Sequence, residues 1–197
     1  MAVLMIAVLV NGAAPVLLDP VPDAYLQYDN GTPNWVYWTG TYRGVWFNTE
    51  DFYPWPCSIS VETIELWFFH HSGYPWDSST TEIQLWSGDA SSPVGIIDAM
   101  EATAIHYAPI YVSMSPTPYV PEDFWVIQST VSYSTGGWPS PLLDAGESAG
   151  PVHSYYFDTD MMPIPMVLNE KYTNYFFRIS TSTSLERLTW GALKTVF

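Results

Sequence analysis

A five-residue run in the second half of the chain has the spacing of a nucleophilic serine. Residues 146–150 read GESAG, which matches the G-x-S-x-G turn that presents the nucleophile of many serine hydrolases between a strand and a helix. The segment WPSP before the run and Pro151 after it favour a Gly/Ser loop instead. The order serine, acid, histidine also fails, because His153, the only histidine after Ser148, precedes Asp158. We therefore predict no catalytic residues and no enzymatic activity.

The histidines, the acidic residues and the one cysteine show no spacing typical of a metal or cofactor site. His70 and His71 are adjacent, so on a strand their side chains point to opposite faces. His106 and His153 are isolated in the sequence. Cys57 lies in an alternating run and is expected to be a small buried residue. Three acidic clusters could offer oxygen ligands to calcium but lack the D-x-D-x-D-G loop: Asp29-Asn30, Glu122-Asp123 and Asp158-Thr159-Asp160. We expect neither metal nor cofactor.

Two kinds of residue point to recognition at the surface. Asn30 begins the only N-x-S/T sequon, in a turn, so it is the predicted glycosylation site. The chain also has 10 Trp and 14 Tyr, which is more than one core requires. Trp67 and Trp125 lie inside strand patterns and are expected to pack internally. Three other tryptophans stand beside prolines in loops and fit a contact surface for sugars or proteins as well as they fit packing: Trp55, Trp76 and Trp138.

The overall charge excludes two classes of partner. The 197 residues include 20 acids and 5 bases, for a net charge of −15. A nucleic-acid-binding protein needs clustered Lys and Arg, and no base occurs between Arg43 and Lys171. The same balance disfavours an anionic membrane surface. No segment is long enough to span a bilayer as a helix, so we expect no membrane span.

Alternating apolar residues indicate short strands separated by turns rich in Gly, Asn, Asp and Pro. The longest run, from Cys57 to Phe68, changes phase once, which predicts a β-bulge near Glu62-Thr63. The best helical pattern covers Val94 to Ala104 but is interrupted by Gly95. Further strands are predicted at 34–39, 42–48, 82–87, 110–114, 124–133, 153–158, 175–181 and 188–197. This pattern predicts an all-β fold, an antiparallel β-sandwich of jelly-roll or immunoglobulin-like type.

An apolar N-terminal extension precedes the sandwich. We place the extension and a stiff joint, Asp19-Pro20-Val21-Pro22, at residues 1–22 and the sandwich domain at 23–197. The extension is apolar without alternation, as in a strand buried on both faces. We predict a donor strand that completes the sheet of a neighbouring copy, with seven self-assembly residues: Val3, Leu4, Met5, Ile6, Val8, Leu9 and Val10. Pairing within its own sheet and an uncleaved export signal are the alternatives.

Several short motifs resemble the β-sandwich modules of large secreted bacterial proteins that open on the sequence YDDGT followed by Trp. The opening here is Tyr28-Asp29-Asn30-Gly31-Thr32 with Trp35. Later matches are Pro56-Cys57, Phe124-Trp125-Val126-Ile127, Gly136-Gly137-Trp138-Pro139, Ser154-Tyr155-Tyr156-Phe157-Asp158 and Thr189-Trp190-Gly191-Ala192-Leu193-Lys194. The resemblance covers roughly residues 25–197 and implies secretion and a sandwich fold.

These patterns lead to two functional hypotheses. The first is a structural subunit of an extracellular filament or cell-surface assembly, in which identical subunits polymerise through N-terminal strand donation. The alternative is a secreted module that binds carbohydrate or another surface, with glycans as the partners of the surplus aromatic residues.

Overall fold

A computed structural model describes residues 25–36, 41–54, 56–70, 75–146, 151–157, 162–168 and 171–182. These residues form two antiparallel sheets that pack against each other, which confirms the predicted all-β sandwich. The proposed boundary between an extension at 1–22 and the sandwich lies outside the described residues, and so does the strand predicted at 188–197.

The first sheet is built around its longest strand. Its order is β1 (Tyr25–Leu26), β15 (Phe177–Ser182), β4 (Ile59–Phe69), β10 (Ser140–Asp144) and β2 (Pro33–Val36), while β7 (Pro109–Ser113) and β8 (Tyr119–Val120) also pair with β4. Glu65 of β4 lies opposite both Arg178 of β15 and Tyr111 of β7, so β15 and β7 line opposite edges of β4.

The second sheet runs across six strands. Its order is β12 (Pro163–Pro165), β11 (Ser154–Phe157), β3 (Tyr42–Asn48), β9 (Asp123–Ser129), β5 (Thr80–Ser87) and β6 (Gly95–Thr103). A short hairpin of β13 (Val167–Leu168) and β14 (Lys171–Tyr172) and a 3-10 turn at Thr49–Asp51 complete the described elements.

The core lies between the sheets and follows the alternation of the strands. On β4, Ile64, Leu66 and Phe68 are fully buried, and on the facing sheet Ile83 and Val126 are buried as well. The phase change in β4 is real: Ser180 pairs with Thr63 but Thr181 pairs with Val61, so Glu62 is the extra residue. The predicted bulge near Glu62-Thr63 is therefore confirmed.

A second apolar cluster lies outside the main core. Trp125, Ile127, Tyr155 and Phe157 are buried together, on strands of the six-stranded sheet. The Trp125 ring meets Tyr155 edge-on at 5.0 Å and Phe157 at 5.5 Å between ring centroids. The predicted internal position of Trp125 is confirmed, whereas Trp67 is only half-buried, and its indole donates to Glu65 at 2.6 Å.

The interrupted helical pattern from Val94 to Ala104, from which no helix was predicted, contains the edge strand β6. The register of β6 with β5 skips Ile97, and this bulge disguised the alternation. The strand predicted at 124–133 ends at Ser129, because Thr130 begins a turn in which its carbonyl accepts from Tyr133 N–H at 3.0 Å. Strands β10 and β12 were not predicted, since prolines interrupt both segments.

Candidate assembly and binding surfaces

The structure describes three of the residues for which a surface role was predicted. The seven self-assembly residues between Val3 and Val10 lie outside the described residues, as does Trp55. Trp76 is half-buried, and its indole N–H donates to the Phe69 carbonyl at 3.2 Å. Trp138 is only 8% exposed. Burial therefore removes Trp138 from the candidate contact residues, whereas a contact role for Trp76 stays a prediction.

Asn30 lies in a tight turn that holds its side chain at the surface. Asp29 Oδ1 accepts from Gly31 N–H at 3.0 Å, and Asn30 Oδ1 accepts from Thr32 N–H at 2.9 Å. Gly31 has a φ of +77°, which glycine adopts without strain. Asn30 is exposed, and the turn uses its amide oxygen. This geometry suits an acceptor amide nitrogen, and glycosylation of Asn30 stays a prediction that an intact mass would test.

An open groove separates the edge strands β6 and β7, which belong to different sheets. The groove has a volume of about 280 Å³. Met100 and Ala102 of β6 and Ile110 and Val112 of β7 contribute its apolar walls and pack against the main core. These residues were not predicted as a site from the sequence. The alternation of Ile110 and Val112 was visible, but their nearness to β6 depends on how the two sheets stack.

No described strand pairs with the outer edge of either β6 or β7. Within the described part of the chain, β6 pairs only with β5 and β7 only with β4. Ala104 N–H donates to Ser79 O at 2.8 Å, just beyond the end of β6. Hydrogen-bonded pairs alternate along an antiparallel ladder, so the amides of Glu101 and Thr103 point away from β5. The Ala99 amide also points away from β5, but it donates to Asp98 Oδ1 at 2.8 Å. An edge strand whose outward groups meet no neighbouring strand is a template for another strand.

The opposite edge of the six-stranded sheet is protected. Its last strand, β12, has three residues, and two of them are Pro163 and Pro165. Proline has no N–H to donate to an added strand, and short proline-containing edges prevent sheet-to-sheet association. Among the described strands, this sheet therefore has one edge that is blocked by prolines and one edge, β6, that has a neighbour on one side only.

Aromatic side chains are exposed on the outer face of the seven-stranded sheet. Tyr111 is 63% exposed and Tyr25 is 47% exposed, on either side of the ion pair between the buried Glu65 and the partly buried Arg178. Near one end of β4, Tyr107 is 52% exposed and its ring centroid lies 6.1 Å from that of Phe69. These rings form a surface that was not predicted from the sequence, because only tryptophans were considered as contact residues there.

A buried ionic network joins β15 to the turn that contains the sequon. Arg178 binds Asp29 with two hydrogen bonds, of 2.7 and 2.9 Å, and donates to Glu65 at 3.1 Å. Tyr25 OH also donates to Glu65. The hydrogen bonds to Asp29 raise the pKa of Arg178, and burial together with Glu65 raises the pKa of Tyr25. The network fixes these charges inside the fold.

His153 lies in a closed aromatic stack. Its ring is parallel to Tyr28 at 3.4 Å and to Trp46 at 5.3 Å between centroids. Nδ1 is 3.2 Å from the Trp46 carbonyl, which can only accept, so the neutral ring carries its proton there. Nε2 is buried and 3.9 Å from Asp51, whose carboxylate accepts from Tyr28 OH at 2.5 Å. Burial lowers the pKa of His153.

Two histidines that are distant in sequence are neighbours in the fold. Although His106 is isolated in the sequence, its Nδ1 accepts from the backbone N–H of His70 at 2.8 Å. Among the described residues, no group of three or more His, Cys, Asp or Glu side chains has the geometry of a metal site. Ser148 of the GESAG run, His71 and Asp158 lie outside the described residues.

Within the same residues, the structure contains no helix with the length and hydrophobicity needed to cross a bilayer. No protein-family model, curated protein or solved structure matches the chain. The resemblance to YDDGT-type secreted modules therefore stays a prediction from the motifs alone.

Proposed function

We propose that the protein is a structural subunit of an extracellular filament or surface assembly that polymerises by strand donation. The observation that carries this proposal is the asymmetry of the six-stranded sheet: β12 is blocked by prolines, whereas no described strand pairs with the outer edge of the nine-residue β6. An exposed open edge is an aggregation hazard unless a specific strand covers it. The uncharged segment from Ala2 to Val10 supplies such a strand in the same chain.

Electron microscopy and analytical ultracentrifugation of the full chain test the proposal. Wild-type protein is expected to form filaments. Ile6→Asp is expected to abolish them, because addition of the strand would bury an unpaired carboxylate. Ile6→Val is the matched control, since it keeps an apolar β-branched residue, and it is expected to assemble. Strand donation would be refuted if the wild-type protein remains monomeric, or if Ile6→Asp forms filaments like those of the wild type.

A second candidate function is carbohydrate binding by the outer face of the seven-stranded sheet. Exposed Tyr25, Tyr111 and Tyr107 favour it, because tyrosine rings offer apolar surface beside a hydroxyl that can bond to sugar hydroxyls. Co-sedimentation with cellulose and chitin tests it, with Tyr111→Ala expected to weaken binding. Tyr133→Ala, in the turn after β9, is the control. Wild-type protein that stays in the supernatant with both polysaccharides would remove this candidate.

A further inference from the structure

We propose that the groove between β6 and β7 is the acceptor site for the donated strand, with residues 2–10 of a second copy pairing along the outer edge of β6. This inference rests on the proposed strand donation and names the place where the donated strand binds. The lengths agree, because β6 has nine residues and the segment from Ala2 to Val10 also has nine. Each spans about 30 Å as an extended strand.

The groove walls suit the side chains of that segment. Successive side chains of an added strand alternate between the groove and solvent. In one of the two phases Leu4, Ile6 and Val8 enter together, and all three are branched and apolar. They would meet Met100 and Ala102 on one side and Ile110 and Val112 on the other. The other phase offers Val3, Met5, Ala7 and Leu9, which includes the small Ala7 at its centre. We therefore assign the even-numbered residues to the groove.

Charge disfavours the obvious alternative occupant, the β6 strand of a second molecule. Two copies of β6 would bring Asp98 and Glu101 of both chains to one interface, and like charges facing each other across paired strands are destabilising. The segment from Ala2 to Val10 contains no charged side chain. An uncharged strand next to an acidic edge avoids this repulsion.

The position of the chain entry favours a neighbour over self-insertion. The first described residue, Tyr25, begins β1, which pairs with β15 on one side of β4. The groove lies beyond β7, on the other side of β4. A segment that leaves one side of a subunit and binds the opposite side of the next makes a heterologous contact, which propagates without closing.

Cysteine cross-linking between full-length subunits tests the acceptor site. In a Cys57→Ser background, subunits carrying Ala7→Cys are mixed with subunits carrying Ala99→Cys, Glu101→Cys or Thr103→Cys. Ala7 is on the predicted solvent side of the donated strand. The side chains of the three β6 residues are exposed to solvent as well. Oxidation is expected to yield a covalent dimer, at twice the 22.2 kDa monomer mass, from at least one mixture. Ile164→Cys on the blocked strand β12 is the control and is expected to give none.

A backbone substitution provides an independent test. Glu101→Pro removes an outward-facing N–H without breaking the ladder to β5, a position where edge strands tolerate proline. It is expected to stop assembly, whereas Glu101→Ala, which removes the same charge and keeps the N–H, should assemble. Equal thermal midpoints of the two variants as monomers establish that the fold survives.

The outcomes separate the acceptor site from strand donation itself. Three results would overturn the acceptor site and leave strand donation standing. The filaments give no β6 cross-link, they cross-link equally at Ile164→Cys, or Glu101→Pro subunits still form them. A dimer formed by Glu101→Cys subunits alone would indicate paired β6 strands and would also overturn it. Absence of both filaments and cross-links in every mixture would overturn both proposals.

Discussion

At the scale of single residues, the two basic side chains that the structure describes are both inside the fold. Arg43 is fully buried and donates to the Gly137 carbonyl at 2.7 Å, and Arg178 holds Asp29 and Glu65. The sequence has only five bases, but it did not identify the partners of Arg43 or Arg178. Asp29 and Arg178 are 149 positions apart, and the pairing of β15 with both β1 and β4 brings the network together.

Removal of the Arg178 side chain is expected to destabilise the protein strongly. Arg178→Met would leave the carboxylates of Asp29 and Glu65 without their cation, and loss of one partner from a buried pair costs about 3–5 kcal/mol. Urea unfolding of wild type and variant measures the difference. Arg178→Lys, which keeps the charge but cannot bind Asp29 in the same two-pronged way, should lie between them. If Arg178→Met lowers the free energy of unfolding by no more than the loss of an exposed ion pair would, the assignment of Arg178 to a buried ionic network is contradicted.

The stack around His153 predicts that acid destabilises the fold. Because burial lowers the pKa of His153 in the folded state, the unfolded chain, with its ordinary pKa near 6.5, binds more protons below that pH. Stability is therefore expected to fall as the pH decreases from about 7 through the unfolded pKa toward the folded one. Thermal melting of wild type and His153→Gln between pH 7 and 5 tests this, and the variant should show the smaller decrease. Equal slopes would rule out His153 as the cause.

At the scale of elements, strand β3 depends on a residue without a side chain. A Cβ on Gly44 would lie 2.9 Å from Phe157 and 3.1 Å from Ile127, so Gly44→Ala is expected to overpack the second cluster and cost about 1–3 kcal/mol. Gly95→Ala is the matched control, because its Cβ would meet only the Ser87 hydroxyl at 3.7 Å. Chemical denaturation compares the two, and similar losses would refute the close packing of β3 against β11.

Some strands of this fold can be predicted from the sequence, and others cannot. Strand β3 was predicted with its observed ends, and the phase change in the apolar residues of β4 located the bulge at Glu62. Strand β10 is buried along its whole length, with no polar face to set the period, and it contains Pro141. The groove was beyond reach for a different reason: β6 and β7 are in separate sheets, and no local pattern encodes how two sheets stack.

At the scale of the whole molecule, burial of Arg43 determines where trypsin can act. The bond after Arg43 lies within β3, which pairs with both β9 and β11, so cleavage there requires unfolding. Native protein is expected to keep residues 1–171 intact under limited trypsin digestion, whereas heat-unfolded protein should release residues 1–43. Mass spectrometry of the two digests measures this. Cleavage after Arg43 at the same rate in native and unfolded samples would contradict the described burial.

The inward placement of Arg43 and Arg178 also shapes the outer electric field of the molecule. Acids such as Glu62, Asp89 and Glu101 are exposed, while the described arginines are screened by the fold or neutralised by Asp29 and Glu65. Two copies that approach each other therefore repel, because both carry net negative charge. The repulsion reaches about 30 Å in 0.01 M salt but only about 8 Å at physiological ionic strength. Encounters between subunits are consequently rare in low-salt buffer and become frequent as the salt concentration rises. The salt concentration therefore sets the rate at which subunits meet, although it hardly affects the fold of each subunit.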